Sequence, residues 1–335
     1  MTIRELIEHC RGRNLYIQTH NFPDPDAIAS GFGLKKLFER FGVSSTLCYV
    51  GKLDRISTKK MTELLGIEMF SQRDIEEDMA TDDPIICVDS QKGSGNILDL
   101  KGDEIACIDH HQFMEVEGLI YHDVRKVGAC ATMICGYYQE LGQEPDEMTA
   151  TALLYGLKND TMNFTRGVTD DDIRAFLYLH GKCDRAILSK LEHDNMEYSD
   201  LKAYGTAIEN IVIYDNLGMA MIPFSCPDAL IAVVADFILS LEAVEVSVVY
   251  SKRKDGIKFS ARSEIPQRVN AADLLAEALK DYGDGGGHPF MAGGLIPAER
   301  AEALGEDADH IIHELILSHV RWAGSKEGSK TDNGK

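Results

Sequence analysis

The sequence predicts an α/β protein. An N-terminal parallel sheet with helices on both faces is followed by a smaller C-terminal α/β domain. Three observations predict this. Through the first half, short apolar, β-branched-rich runs alternate with amphipathic stretches, the pattern of strands buried on both faces by crossover helices. After residue 215 strand signals return with a different texture, gathered around a tight Asp-Gly turn. The 335 residues are enough for two ordinary domains with substantial cores.

The elements follow in order. NLYIQTH (14–20), SSTLCYV (44–50), PIICVDS (84–90) and EIACIDHH (104–111) read as the strands of the first domain, residues 1–193. AIASGFGLKKLFERFG (27–42) reads as a helix ended by a capping glycine. From about 128 to 193 the pattern is mostly helical, in ACATMICGYYQELG, TATALLYGLKND and DDDIRAFLYLHGK. The polar stretch DNMEYSDLKAYGTAIENI suits a connector helix within 194–215. The second domain, 216–323, is expected to be built on GMAMIPF (218–224), VEVSVVYSK (244–252) and IKFSARS (257–263), the last two joined by a hairpin at Asp255-Gly256. HIIHELILSH (310–319) lacks the HExxH zinc-protease pattern and reads as a terminal amphipathic helix. The low-complexity tail 324–335 is expected to be disordered. His9, His122, His180 and His193 read as ordinary histidines, and the CGYY of 135–138 as core.

Composition narrows the function. No apolar run is long enough to span a bilayer, and MTIRELIEHCRGRN lacks a signal peptide's apolar core, so a cytoplasmic protein without membrane contact is expected. The eight cysteines form no CxxC pair, and several lie inside apolar runs, as buried reduced thiols do. A net charge of −21 argues against a grip on long duplex DNA, which calls for a basic stripe. A phosphate-ester substrate would therefore be short, met by metal ions and a few local arginines. SKRKDGIKFSAR (251–262) is one basic stretch in this acidic chain, either a solvated hairpin or a substrate-facing surface.

The strand ends carry the chemistry. YIQTH leads into His20, Asp24 and Asp26; IICVD ends on Asp89; IACID ends on Asp109, His110 and His111. Any one of these aspartates is most simply a turn or helix cap. Three strands finishing in carboxylate or imidazole are another matter, because open parallel sheets place active sites outside the carboxyl ends of their strands. Converging carboxylates repel and are costly to desolvate without a cation. A mixed oxygen and nitrogen set fits Mn²⁺, with Mg²⁺ or Co²⁺ as alternatives, and the lack of cysteine argues against structural zinc. More ligands are present than one ion needs, so two ions sharing an aspartate, the device for in-line attack at phosphorus, is the economical arrangement. Pro23 and Pro25 are expected to keep the first cluster extended, with its two aspartates on alternate sides.

HNFPDPDA (20–27), VDS (88–90), DHH (109–111) and GLKNDT (156–161) resemble the four successive motifs of the DHH phosphoesterase superfamily, and GGGHPFMAGG (285–294) resembles the signature of its associated C-terminal domain. The resemblance covers nearly the whole chain in the right order. Within the superfamily it is nearest the bacterial oligoribonuclease (nano-RNase) and pAp-phosphatase group, whose relatives include cyclic-di-AMP phosphodiesterases. It implies that His20 and Asp24 hold one metal, that Asp89 bridges both, and that Asp26, His110 and Asp160 complete the second. It further implies that Asp109 orients an imidazole and that His111 faces the scissile phosphate. The residues alone single out all of these except Asp160, a helix-end aspartate that only the resemblance promotes. Pro25 between the motif-one aspartates, Ala29 where glycine is frequent, and Met291 where alanine is usual depart from the family pattern without removing a ligand.

In the second domain, the segment 283–294 is too glycine-rich for a helix or strand interior, which leaves a flexible turn or an anion-binding nest. Gly286, Gly287 and His288 are its candidate phosphate contacts. Arg262 and Ser263, where the family also carries arginine and serine, are candidates for the nucleotide backbone, ahead of Arg268 and Asn270. The resulting expectation is a two-metal phosphodiesterase or phosphatase that hydrolyses short nucleotidic substrates to 5′-mononucleotides by in-line attack of hydroxide. Its substrates would be short oligoribonucleotides, linear or cyclic dinucleotides, or 3′-phosphoadenosine 5′-phosphate (pAp). The C-terminal domain is expected to clamp the nucleotide, and the resemblance suggests a homodimer. The rivals are an inorganic pyrophosphatase or exopolyphosphatase, which shares the N-terminal motifs, and a non-catalytic nucleotide sensor.

Overall fold

The computed structural model describes residues 1–53, 56–112, 114, 117–193 and 198–325. The chain divides into two compact units, Met1–Asn195 and Met196–Lys335. The segment 326–335, which falls within the expected disordered tail, lies outside the described residues.

The first unit is built on six strands: β1 (Leu15–Thr19), β2 (Ser45–Tyr49), β3 (Phe70–Ser71), β4 (Pro84–Val88), β5 (Asp103–Asp109) and β6 (Tyr121–Val124). All pair in parallel, in the spatial order β3-β2-β1-β4-β5-β6. Four strands match the apolar runs of the sequence. β3 and the half-exposed β6 do not stand out there, since they are short and lie at the sheet edges. Helices α1 (Ile3–His9), α2 (Pro25–Arg40), α3 (Ile56–Leu65) and α4 (Gln72–Ile75) lie in the first part of the unit. They are followed by α5 (Cys130–Glu140), α6 (Glu147–Asp160), α7 (Asp170–His180) and α8 (Arg185–His193). One large core, containing Ile17, Leu34, Ile86, Ile108, Tyr138 and Leu153, joins α2, α5 and α6 to the sheet. A smaller one, with Tyr16, Ile85 and Cys107, fills the opposite face. Covering both faces explains why β1 and β4 are buried at every position. Burial pushes the Cys48 and Cys107 thiols up to about 12, so they behave as core side chains.

The second unit opens with α9 (Leu201–Asn210) and holds β7 (Val212–Tyr214), β8 (Leu217–Ile222), α10 (Asp228–Leu239), β9 (Val246–Arg253) and β10 (Gly256–Ser263). It continues with α11 (Ala271–Leu279), β11 (Asp284–Gly287), β12 (Met291–Pro297), α12 (Ala298–Ala303) and α13 (Ala308–Ser325). Its mixed sheet runs β11-β12-β10-β9-β8-β7, with only β8 and β9 parallel. The Asp255-Gly256 turn joins β9 to β10 as expected. Two expectations are corrected here. The expected connector is not one helix: α9 buries Ala203 and Ala207 in the second unit's core, and 212–214 pair with β8 as an edge strand. The glycine-rich segment is also not excluded from the sheet: Gly285 and Gly286 pair with Gly294 and Gly293 as edge strand β11. An edge strand needs only backbone hydrogen bonds, which glycine supplies as well as any residue. None of the described helices is long and apolar enough to cross a membrane.

Candidate metal centre

In the first sheet β1 and β4 are neighbours, with β2–β3 continuing on one side and β5–β6 on the other, so the strand order reverses between them. That is where a ligand crevice opens at the carboxyl edge. Register brings the strand ends level: Thr19 pairs with Val88, and Val88 with Ile108. The residues immediately following, His20, Asp89 and Asp109, therefore emerge side by side.

Asp89 lies at the centre. It is buried and adopts a left-handed backbone (φ 59°), with its N–H bonded to Ile108 O at 2.9 Å. Its Oδ2 lies 3.7 Å from His20 Nε2, while its Oδ1 lies 3.2 Å from His110 Nε2 and 3.7 Å from His111 Nδ1. The two oxygens thus face different imidazoles. His20 Nε2 is also 3.8 Å from Asp24 Oδ1, and His110 Nε2 is 3.3 Å from Asp160 Oδ2. Three groups of ligand atoms lie within 4.8 Å of one another: His20, Asp24 and Asp89; Asp26, His110 and Asp160; and Asp89, His110 and His111.

The first cluster sits on a helix start, which corrects the expectation of an extended segment. Pro25 is the first residue of α2; it loses nothing there, because a first-turn N–H has no partner within the helix. Asp24 caps the helix, its Oδ1 accepting the Asp26 and Ala27 amides at 3.0 and 3.1 Å. Asp26, in the first turn, turns inward and accepts the amides of Cys130 and Ala131 at 2.7 and 3.0 Å. It thereby caps α5, whose own N-cap residue, Ala129, has no side chain to do so. A helix starting on Ala129 without Ser, Thr, Asp or Asn was the sequence signal for this tie.

The imidazoles are oriented from behind. His20 Nδ1 faces Asn21 O at 2.9 Å, and His110 Nδ1 faces Val127 O at 3.2 Å; since a carbonyl only accepts, each Nδ1 donates. Each Nε2 is left pointing at the carboxylates, the tautomer that metal coordination requires. His111 differs: its Nδ1 bonds Asp109 Oδ1 at 2.7 Å, and that carboxylate also accepts the His110 amide at 2.8 Å and Gln91 Nε2 at 2.7 Å. Gln91 and Arg166 are neighbours that the sequence did not single out. Arg166 follows a turn in which Met162, Asn163 and Phe164 all have positive φ; its Nη2 donates to Asp160 O at 3.2 Å and lies 4.0 Å from the Asp160 carboxylate.

The electrostatics describe an unbalanced cluster. Burial, reinforced by the charges of Asp89 and Asp160, pushes Asp26 well above the usual carboxylate range. Burial also raises Asp160, to about 6, against the pull of His110. Burial alone would depress the histidines, but Asp24 and Asp89 outweigh it and lift His20 to about 9. Asp89, Asp26 and Asp160 do the same at His110, to about 11. His111 is raised by its bond to Asp109. Crowded carboxylates bind protons where no other cation balances them. With the His110 imidazole neutral and its Nδ1 proton donated to Val127 O, moreover, Asp89 Oδ1 is buried without a hydrogen-bond donor. An orphaned carboxylate oxygen, imidazoles turned Nε2-inward and a mixed oxygen and nitrogen donor set all fit divalent cations.

The second-unit candidates are placed otherwise. Arg262 is paired with Asp236 at 2.5 Å and with Ser260 Oγ at 2.9 Å, and the buried Ser263 hydroxyl donates to Val269 O at 2.6 Å. Both side chains are occupied within their own unit. Most of the basic stretch around them is paired as well: Lys252 pairs with Asp309, Arg253 with Asp228 and Asp255, and Lys258 with Asp228. Gly286 and Gly287 are exposed at the end of edge strand β11 and His288 in the turn after it, where its amide donates to Met291 O at 2.7 Å.

Comparison with known proteins agrees with this geometry. Residues 14–157 match the DHH family, N-terminal domain, and residues 215–314 match the DHHA1 domain. The chain is 34% identical over 325 residues to an uncharacterized protein of Methanocaldococcus jannaschii, spanning 94% of this chain and 65% of that one. It is 29% identical over 349 residues to the cyclic-di-AMP phosphodiesterase GdpP of Geobacillus thermodenitrificans, spanning 97% of this chain and 50% of the relative. The chain thus spans half to two thirds of the length of these relatives. It shares its fold with an exopolyphosphatase-related protein from Bacteroides fragilis, at a TM-score of 0.78 and 17% identity, covering 96% of this chain and 99% of the other.

Proposed function

The chain belongs to the DHH superfamily of phosphoesterases, and from that premise we propose that it hydrolyses short nucleotidic substrates to 5′-mononucleotides with the help of two divalent cations, Mn²⁺ foremost. Short oligoribonucleotides, linear or cyclic dinucleotides and pAp make up the substrate class. One observation carries the reading: a single buried carboxylate, Asp89, turns one oxygen to His20 and the other to His110 and His111. His20 and Asp24 would hold one cation, Asp26, His110 and Asp160 the other, and Asp89 both. Cations bound there would supply Lewis-acid polarisation of the phosphate and activation of a water.

The chain's own residues do the rest. Asp109 fixes the His111 ring through Nδ1 and favours its charged form, so that Nε2 carries a proton to offer to a phosphoryl oxygen. Gln91 holds Asp109 in place by donating to its other oxygen. Arg166, beside Asp160, adds a fixed positive charge at the rim of a very acidic protein.

The test is Mn²⁺-dependent hydrolysis of a panel: di- to penta-ribonucleotides, cyclic dinucleotides, pAp and pyrophosphate. Release of 5′-mononucleotides is the expected result. Turnover of pyrophosphate alone would replace the reading with an inorganic pyrophosphatase, and binding of nucleotides without turnover would replace it with a sensor.

A further inference from the structure

Phe22 lies between His20 and Asp24, in the left-handed region of backbone space at φ 55°. A bulky side chain is a genuine outlier there. The strain is held by defined bonds. The Phe22 amide donates to Val50 O at 2.8 Å and the Asn21 amide to Asn96 O at 2.7 Å, while Leu98 N donates to Asn21 Oδ1 at 3.1 Å. These contacts pin the segment to the end of β2 on one side and to the chain following β4 on the other. The ring lies over Gly51, itself at φ 98°, where an added Cβ would come within 2.7 Å of two ring atoms.

Burial does not repay this arrangement. Phe22 remains 58% exposed and belongs to none of the cores of the unit, whereas the neighbouring Asp26 and Asp89 are almost wholly buried. Strained residues persist where the surrounding structure over-determines them, and they cluster at ligand sites. An exposed aromatic face on a pinned backbone, two residues from side chains suited to hold a cation that meets a phosphate group, is what a nucleobase stacks on. Such stacking tolerates any base, because every base has a π-face.

We propose that Phe22 is a specificity-determining residue whose exposed ring receives a nucleobase of the substrate while its phosphate meets the cation that His20, Asp24 and Asp89 would hold. This rests on the nucleotide reading above and adds what that reading lacks: a feature of the first unit that distinguishes a nucleotide from a bare phosphate ester.

The test compares Phe22→Ala and Phe22→Tyr with the wild type on a linear diribonucleotide and on its abasic analogue, which keeps the sugars and phosphates. Binding of a non-hydrolysable dinucleotide is measured in parallel by calorimetry. Loss of one stack corresponds to about 5- to 100-fold in affinity, so Phe22→Ala should raise KM and Kd for the dinucleotide by a factor in that range with kcat nearly unchanged. Phe22→Tyr should restore both values, and the abasic analogue should respond to neither variant. Equal losses on the two substrates, or no loss on either, would overturn the proposal. So would a wild type that cleaves the abasic analogue as well as the dinucleotide, although the phosphoesterase reading would then stand. Cleavage of neither substrate, with no binding of the dinucleotide by calorimetry, would overturn this inference, while hydrolysis of cyclic dinucleotides or pAp decides the nucleotide reading separately. Phe22→Gly supplies a readout independent of turnover. It relieves the positive φ, so the melting temperature should hold or rise; a marked fall would show that the ring serves the fold, against the proposal.

Discussion

At the scale of single residues, the site depends on Asp89. Aspartate is among the few non-glycine residues that enter the left-handed region readily, and its short side chain places both oxygens at the meeting point of three imidazoles. Asp89→Asn keeps the size and removes the charge and one oxygen. Substitution of partners merely behind metal ligands costs about 10- to 100-fold. If Asp89 is shared by both cations as proposed, its loss should cost more, so metal-dependent turnover should fall by over about 100-fold while the far-UV spectrum stays as in the wild type. Initial rates across a Mn²⁺ titration check this, and unchanged rates would remove Asp89 from the centre of the mechanism. Legibility in the sequence followed position in the chain. Asp89, Asp109, His110 and His111 ended apolar runs and so announced themselves. Asp160 ended a helix, where aspartate is ordinary, and only the family resemblance raised it. Gln91 and Arg166 follow a strand end and a left-handed turn, and nothing in their local pattern reveals the carboxylates they meet.

At the scale of elements, the site is a junction of three helix ends on one sheet edge. The start of α2 carries Asp24 as its cap and Asp26 in its first turn, the last residue of α6 is Asp160, and the start of α5 is capped by Asp26. Helix periodicity predicted all three helices, but not that Pro25 begins α2 or that α5 borrows its cap, because both depend on tertiary partners. Gly156 shows how closely two of these elements meet. A Cβ there would lie 2.8 Å from Ala29 Cβ and 3.0 Å from Asp26 Cα, so a glycine on α6 lets α2 approach the site. Gly156→Ala sets better helix propensity, about 1 kcal/mol, against overpacking of a tight contact, about 1–3 kcal/mol. The contact is partly backbone and cannot turn aside, so the second effect should win. Urea melts should show a net destabilisation, and turnover should fall at least tenfold, since small displacements of reacting groups cost that much. A variant as active and as stable as the wild type would mean that the two helices part without moving the ligands.

At the scale of the whole molecule, the chain is two folding problems joined end to end. The first unit has its own cores around a parallel sheet; the second has others around a mixed sheet, with Val248, Phe259 and Leu275 in one and Ala220, Val234 and Val249 in another. The alternation of strand and helix signals foretold the first architecture. The second was legible as a change of texture, with its glycine edge strand hidden because backbone pairing leaves no trace in side-chain pattern. Every described cluster able to hold a metal lies in the first unit. A cation that binds only folded protein stabilises it by mass action, by about 2.7 kcal/mol at one hundred times its Kd. For a unit of this size each kcal/mol raises the melting temperature by about 2–4 °C. Calorimetry in saturating Mn²⁺ should therefore show one transition moving up by about 5–11 °C for each ion bound while a second stays in place. In Asp89→Asn the moving transition should lose most of that shift. If both transitions rise together in the wild type, the units unfold as one cooperative body; if neither moves, the acidic cluster of the first unit does not hold the ion.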